Sequence, residues 1–182
     1  MKALALIFLL LMSLFFVGCS VSNQSEVVQP IKGDITELNY KAADKLLLEA
    51  RLPKESVMIM ATVVNIDDIE KSSTLGRLIS EQISSYFVHK NMNVIEIKFR
   101  DNIYMKRNEG ELMLTREIGN IAKNYKASSI IVGTYAIGGS MVYVNLKIID
   151  PSTNLMMSAV NYSIPVNSDI EDMLGSSRKT FK

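Results

Sequence analysis

Two periods run through this chain, and the points where one gives way to the other mark its elements. After Asp34, the residues Ile35, Leu38, Ala42, Ala43, Leu46, Leu47 and Ala50 recur at helical spacing until Pro53. Asp34 with Glu37 three positions on is a variant of the capping box, so a first amphipathic helix is predicted here. Val57 to Val64 is apolar on both alternating sets, which suits a central strand covered on two faces. Ser73 or Thr74 can cap a second helix whose stripe is Leu75, Leu78, Ile79, Ile83, Tyr86 and Phe87, with Arg77, Glu81 and Lys90 facing away. Asn91 supplies a left-handed stop. Val94 to Phe99 alternates Val94, Glu96 and Lys98 against Ile95, Ile97 and Phe99, the pattern of an edge strand with one wet face.

The charged stretch Asp101 to Leu114 is the longest connection, with room for a short strand at Ile103 to Lys106. Thr115 can cap a third helix through Lys126, with Ile118, Ile121, Ala122 and Tyr125 inward. Ser129 to Ala136 is apolar throughout and should lie beside Val57 to Val64. Gly138-Gly139 then signals a hairpin into the alternating strand Met141 to Asp150. Asp150 to Asn154 reads as a turn into a last strand, Leu155 to Ile164, and Ser168 to Glu171 as the cap of a short helix ending at Gly175. Helical crossovers make the first strands parallel, and the meander adds antiparallel ones. The expectation is a single α/β domain with a mixed sheet of about five strands packed with three helices.

The start of the chain is different. Ala3 to Val17 is an apolar run behind the lone cation Lys2, shorter than the roughly 20 residues that a helical bilayer crossing needs. It has the form of a secretory signal. Phe16-Val17-Gly18-Cys19 resembles the lipobox of bacterial lipoprotein precursors, although Phe16 stands where Leu, Val or Ile is usual. That resemblance implies diacylglycerol on the Cys19 sulfur and cleavage before it, and Ser20 in the next position implies sorting to the outer membrane. The alternative is an uncut anchor with an incidental cysteine. Residues 1–18 are thus assigned as signal, 19–33 as the lipidated cysteine and a flexible tether, 34–166 as the domain and 167–182 as a tail. The tether could span at most about 50 Å, and about 20 Å as a coil.

Charge changes the picture by what it excludes. Lys2 leaves with the signal, so 20 basic and 19 acidic side chains become 19 of each, a formal net charge of zero. No basic surplus recruits nucleic acid, and the basic tail Arg178 to Lys182 reads as a terminus. Cys19 is the only cysteine, which rules out an intrachain disulfide framework. One histidine, His89, allows neither a triad nor a zinc cluster; it suits a solvated helix end or a partner contact. The carboxylate pairs Asp67-Asp68 and Glu109 with Glu111 read as solvated or capping groups rather than a hydrolytic pair. Met58 and Met60 among the 11 methionines fit core positions better than a copper site. No catalytic residue, metal or cofactor is expected.

Several stretches, taken in order, resemble the FlgO family of outer-membrane flagellar lipoproteins. They are Ser73-Thr74-Leu75-Gly76-Arg77 leading into Ser80-Glu81-Gln82, then Gly110 to Glu117, Val132-Gly133-Thr134-Tyr135, Val142 to Asp150 and Tyr162-Ser163-Ile164-Pro165. The resemblance covers about Ile35 to Pro165. It implies a periplasm-facing α/β domain anchored in the outer membrane through Cys19, supporting flagellar assembly or stability with other flagellar envelope proteins and without enzymatic activity. Gly76 suits close packing of its helix on the sheet. Arg77 with Glu111, or Arg116 with Glu81, would pin the long connection to that helix; the other reading makes Arg77, Arg107, Glu109, Glu111 and Arg116 partner-binding groups. The competing class is a lipoprotein that regulates a cell-wall synthase or joins a secretion assembly. Neither partner nor oligomeric state can be read from the sequence.

Overall fold

The computed structural model describes residues 34–69, 72–97 and 116–175, the side chains of 116–118 excepted. Helix α1 (Ile35–Ala50) opens where the Asp34 carboxylate accepts the Thr36 N–H and closes at Arg51, in the left-handed region at φ 49°. Strand β1 (Val57–Ala61) follows, then the two-residue strand β2 (Val64–Asn65). Helix α2 (Thr74–His89) is capped by Ser73, whose hydroxyl accepts the Gly76 N–H, and Asn91 turns out of it at φ 62°. Strand β3 (Asn93–Ile97), helix α3 (Arg116–Asn124), the meander β4 (Ser129–Ile137), β5 (Met141–Ile149) and β6 (Met156–Pro165), and helix α4 (Ser168–Leu174) complete the order.

The sheet runs β3-β1-β4-β5-β6, with β2 also paired to β4. β1 is parallel to both β3 and β4, and the meander is antiparallel. The expected mixed sheet is present, β1 lies beside β4 as expected, and β3 lies at an edge. The path from β1 to β3 runs one way across the sheet and the path from β3 back to β4 runs the other. A right-handed connection then puts α2 and α3 on opposite faces. Met58, Met60, Ile131 and Tyr135 accordingly pack with Leu46, Leu75, Ile79 and Phe87 of α1 and α2, while Ile59, Ile130 and Val132 pack with Ala122 of α3. On β5, Val142, Val144, Leu146 and Ile148 are buried in the larger cluster.

Four details depart from the sequence reading. The strand expected over Val57 to Val64 is broken after Ala61, because downstream side chains take over the backbone there: Ser80 Oγ accepts the Val63 N–H at 2.8 Å and Ser72 Oγ donates to the Val63 carbonyl at 2.8 Å. Tyr125 is 54 % exposed, since α3 ends at Asn124 and Lys126 turns left-handed at φ 52°. The cap of α4 is Asn167, one residue earlier than Ser168, with its side chain accepting the Ile170 N–H at 2.9 Å. That helix brings Ile170 into the larger core, so the described elements number six strands and four helices. The possible strand at Ile103 to Lys106 and the Thr115 cap lie outside the described residues.

Candidate functional site

The N-terminal turn of α2 is pressed onto the sheet. A Cβ built on Gly76 would lie 2.3 Å from the Val63 carbonyl oxygen and 2.7 Å from Ser72 Oγ, so only glycine allows the approach. Ser72 and Ser80 complete the clamp on Val63 described above, and Ser80 Oγ also donates to the Gly76 carbonyl at 2.9 Å. Arg77 is exposed and turns back on the same loop, donating to the Ser72 carbonyl at 3.3 Å and to Thr74 Oγ1 at 3.0 Å. Its guanidinium braces the entry of α2.

A second set of polar groups ties the helices to β6. The Tyr162 hydroxyl donates to Asn39 Oδ1, Asn39 Nδ2 donates to Gln82 Oε1 at 2.6 Å, and Gln82 Nε2 donates to Thr36 Oγ1 at 3.0 Å. Asn39 is fully buried, and burial holds the Tyr162 phenol above its ordinary pKa. Removing the middle of such a chain leaves two half-buried groups unpaired. Asn39→Leu should therefore lower stability by about 2–4 kcal/mol. In the Asn39→Leu background Tyr162→Phe should cost less than in the native chain, because the hydroxyl has already lost its acceptor. Equal costs of Tyr162→Phe in the two backgrounds, by thermal melting, would show that the groups are not coupled.

The outer side of α1 and the end of α2 enclose an open cleft of about 490 Å³, lined by Glu37, Tyr40, Lys41, Asp44, Lys45, Leu48, Tyr86 and Lys90. Tyr40 and Tyr86 pack with centroids 5.3 Å apart at 56°. Tyr86 donates its hydroxyl to Asp44, whose carboxylate lies 3.7 Å from Lys90 Nζ, and that ammonium stands 5.1 Å from the Tyr86 ring centroid. Burial, and then the bond to Asp44, raise the Tyr86 pKa; the Tyr86 hydroxyl raises that of Lys90. Leu48 is 71 % exposed at the rim. An aromatic floor with charges of both signs around it can hold a polypeptide side chain. Tyr40, Asp44 and Leu48 recur every four residues on the polar side of α1, a signal present in the sequence; their meeting with Tyr86 and Lys90 is tertiary.

Of the residues singled out from sequence, Arg77 is placed as above. Arg116 begins α3, with its side chain outside the described residues, and Cys19, Arg107, Glu109 and Glu111 lie outside them altogether. Asp67 is exposed at a turn, where its N–H bonds to Asn65 Oδ1 at 3.0 Å. His89 is exposed in the last turn of α2, at the negative end of the helix dipole. Met58 and Met60 are core residues, as expected. Among the described residues, no group of three His, Cys, Asp or Glu could hold a metal ion, and no helix is long and apolar enough to cross a membrane.

The fold is similar to that of solved domains. The C-terminal domain of LpoB from Escherichia coli matches with a TM-score of 0.50 at 9 % identity, over 69 % of this chain and 93 % of that one. The LpoB C-terminal domain from Salmonella enterica matches with a TM-score of 0.49 at 11 % identity, over the same shares. No curated protein sequence matches the chain. The family model described as FlgO protein matches residues 40–169, a span that begins in α1, takes in all six strands of the sheet and reaches α4, and this chain belongs to the FlgO family.

Proposed function

We propose that this chain is a non-enzymatic lipoprotein of the outer membrane, facing the periplasm, that supports flagellar assembly and motility through contacts with other flagellar envelope proteins. The observation that carries this reading is the family match over the whole sheet. The lipobox-like Phe16 to Cys19 behind an apolar run supports the anchor. Once the signal at residues 1–18 is removed, a lipidated Cys19 holds the domain by acyl chains, each buried CH₂ contributing about 0.8 kcal/mol. Arg77, Arg107, Glu109, Glu111 and Arg116 are the proposed polar contacts.

Two measurements test the proposal. Cys19→Ser should accumulate as precursor and take up no fatty-acid probe, since only a thiolate accepts the glyceryl group; equal labelling of mutant and native chain would remove the anchor. A strain lacking the chain should swim poorly in soft agar and assemble fewer flagella, and normal swimming would end the flagellar reading. Intact flagella with altered wall cross-linking in that strain would favour the regulator of a cell-wall synthase instead.

A further inference from the structure

The far side of β6 has no neighbour among the described residues: the sheet order ends there. Which of its backbone groups are open follows from the ladder. Val166 N–H donates to the Ser140 carbonyl at 2.9 Å, and Met141 pairs with Pro165, so in an antiparallel ladder the even-numbered residues of β6 bond to β5. Ala159, Asn161 and Ser163 therefore direct their N–H and C=O groups outward. A register shift opposite Ile148 and Ile149 marks a bulge at Met157, and Pro165 has no N–H. The open stretch is bounded by these two interruptions, one four residues before Asn161 and the other four after it.

That symmetry selects the occupant. An edge whose ends are equidistant from one residue fits a copy of itself running antiparallel about that residue. With Asn161 opposite Asn161 of a second copy, Ala159 faces Ser163, and every outward N–H on both strands finds a carbonyl. Pro165 then meets the bulge at Met157, where no ladder bond is needed. The paired side chains are small or uncharged, and the strand Met156–Pro165 contains no Asp, Glu, Lys, Arg or His; of the features that protect an edge from self-pairing it has only the bulge and Pro165, both at the ends of the open stretch. The two exposed Asn161 amides offer each other one donor and one acceptor apiece. We infer that the chain forms a two-fold dimer through β6, joining two sheets into one, with Asn161 on the axis.

The register makes the test sharp. In an antiparallel hydrogen-bonded pair the Cα atoms are about 5.5 Å apart, within disulfide range. The full chain, purified in detergent, with Asn161→Cys should therefore form a covalent dimer on mild oxidation. Ala159→Cys should not, because the axis separates the two copies of residue 159. Sedimentation in density-matched detergent should show a dimer for the native chain. It should be weakened at least about tenfold by Asn161→Pro, which removes one outward N–H per copy and leaves the bonds to β5 intact. Asn161→Asp should dissociate at neutral pH and re-associate as the facing carboxylates are protonated. A native chain that sediments as a monomer, a dimer indifferent to Asn161→Pro, or equal cross-linking at 159 and 161 would each overturn the inference.

Discussion

Ile59→Asp should leave no stably folded domain. Ile59 is fully buried in the middle of β1, between β3 and β4, and packs among Ala61, Ala122, Ile130, Val132 and Ile149. A carboxylate placed there finds no cation among the described residues packed around it, and the backbone groups around it are engaged in two parallel ladders. The cost of an unpaired buried charge, at least about 5 kcal/mol, is comparable to the whole net stability of a domain this size. Leu48→Asp is the control: the same change at an exposed helical site should cost about 1 kcal/mol or less. Circular dichroism melts of the full chain in detergent separate the two, and an Ile59→Asp transition close to the native one would mean that β1 is not the covered strand described here.

Alanine at two glycines should move stability in opposite directions. In helix interiors alanine is favoured over glycine by about 1 kcal/mol. A Cβ on Gly119 in α3 would meet none of the described residues within 4 Å, so Gly119→Ala should stabilise by about 0.5–1 kcal/mol. Gly76 in α2 meets the Val63 backbone, which cannot rotate away as a side chain would, and the clash should reverse the sign. A net loss of about 3 kcal/mol is expected for Gly76→Ala, roughly 10 °C in melting temperature. Gly76→Ala melting at or above the native temperature would show that α2 does not rest on the Val63 backbone, between β1 and β2, as tightly as the structure has it.

The helices and most strands were legible because their signals are local. Asp34, Ser73 and Asn91 act within one turn of the ends they define, and the alternation of β5 reports two faces that differ in every residue pair. The break between β1 and β2 was not, because Thr62 and Val63 look like any strand residues; what stops the ladder is Ser72 and Ser80, which reach Val63 from farther along the chain. Tyr125 was misread for a related reason: the helical period of apolar residues continues one position beyond the helix itself. The buried pairing of Asn39 with Gln82 and Tyr162 joins positions 43 and 123 residues apart, and neither the amide nor the phenol announces it. The cleft was half legible, through the spacing of Tyr40, Asp44 and Leu48, but its charge partners come from α2. Of the polar groups proposed for partner contact, Arg77 is placed and braces its own helix; most of the others fall in the charged connection outside the described residues.

The strand order has a consequence for how the chain is made. β1 lies between two strands that both follow it, and Val57 bonds to Ser128, 71 positions later. At translation rates of roughly 5–20 residues per second, β1 emerges several seconds before β4 exists to cover it. During that interval Val57-Met58-Ile59-Met60-Ala61 is an uncharged, strand-forming segment that has no strand partner until β3 appears and keeps one edge open until β4 does, while the meander β4–β6 closes on itself as soon as it appears. The first strand made is thus fully paired only after the fourth has followed it. A factor that holds extended apolar segments would act on this chain early, at its first strand, and would be released by the arrival of its fourth.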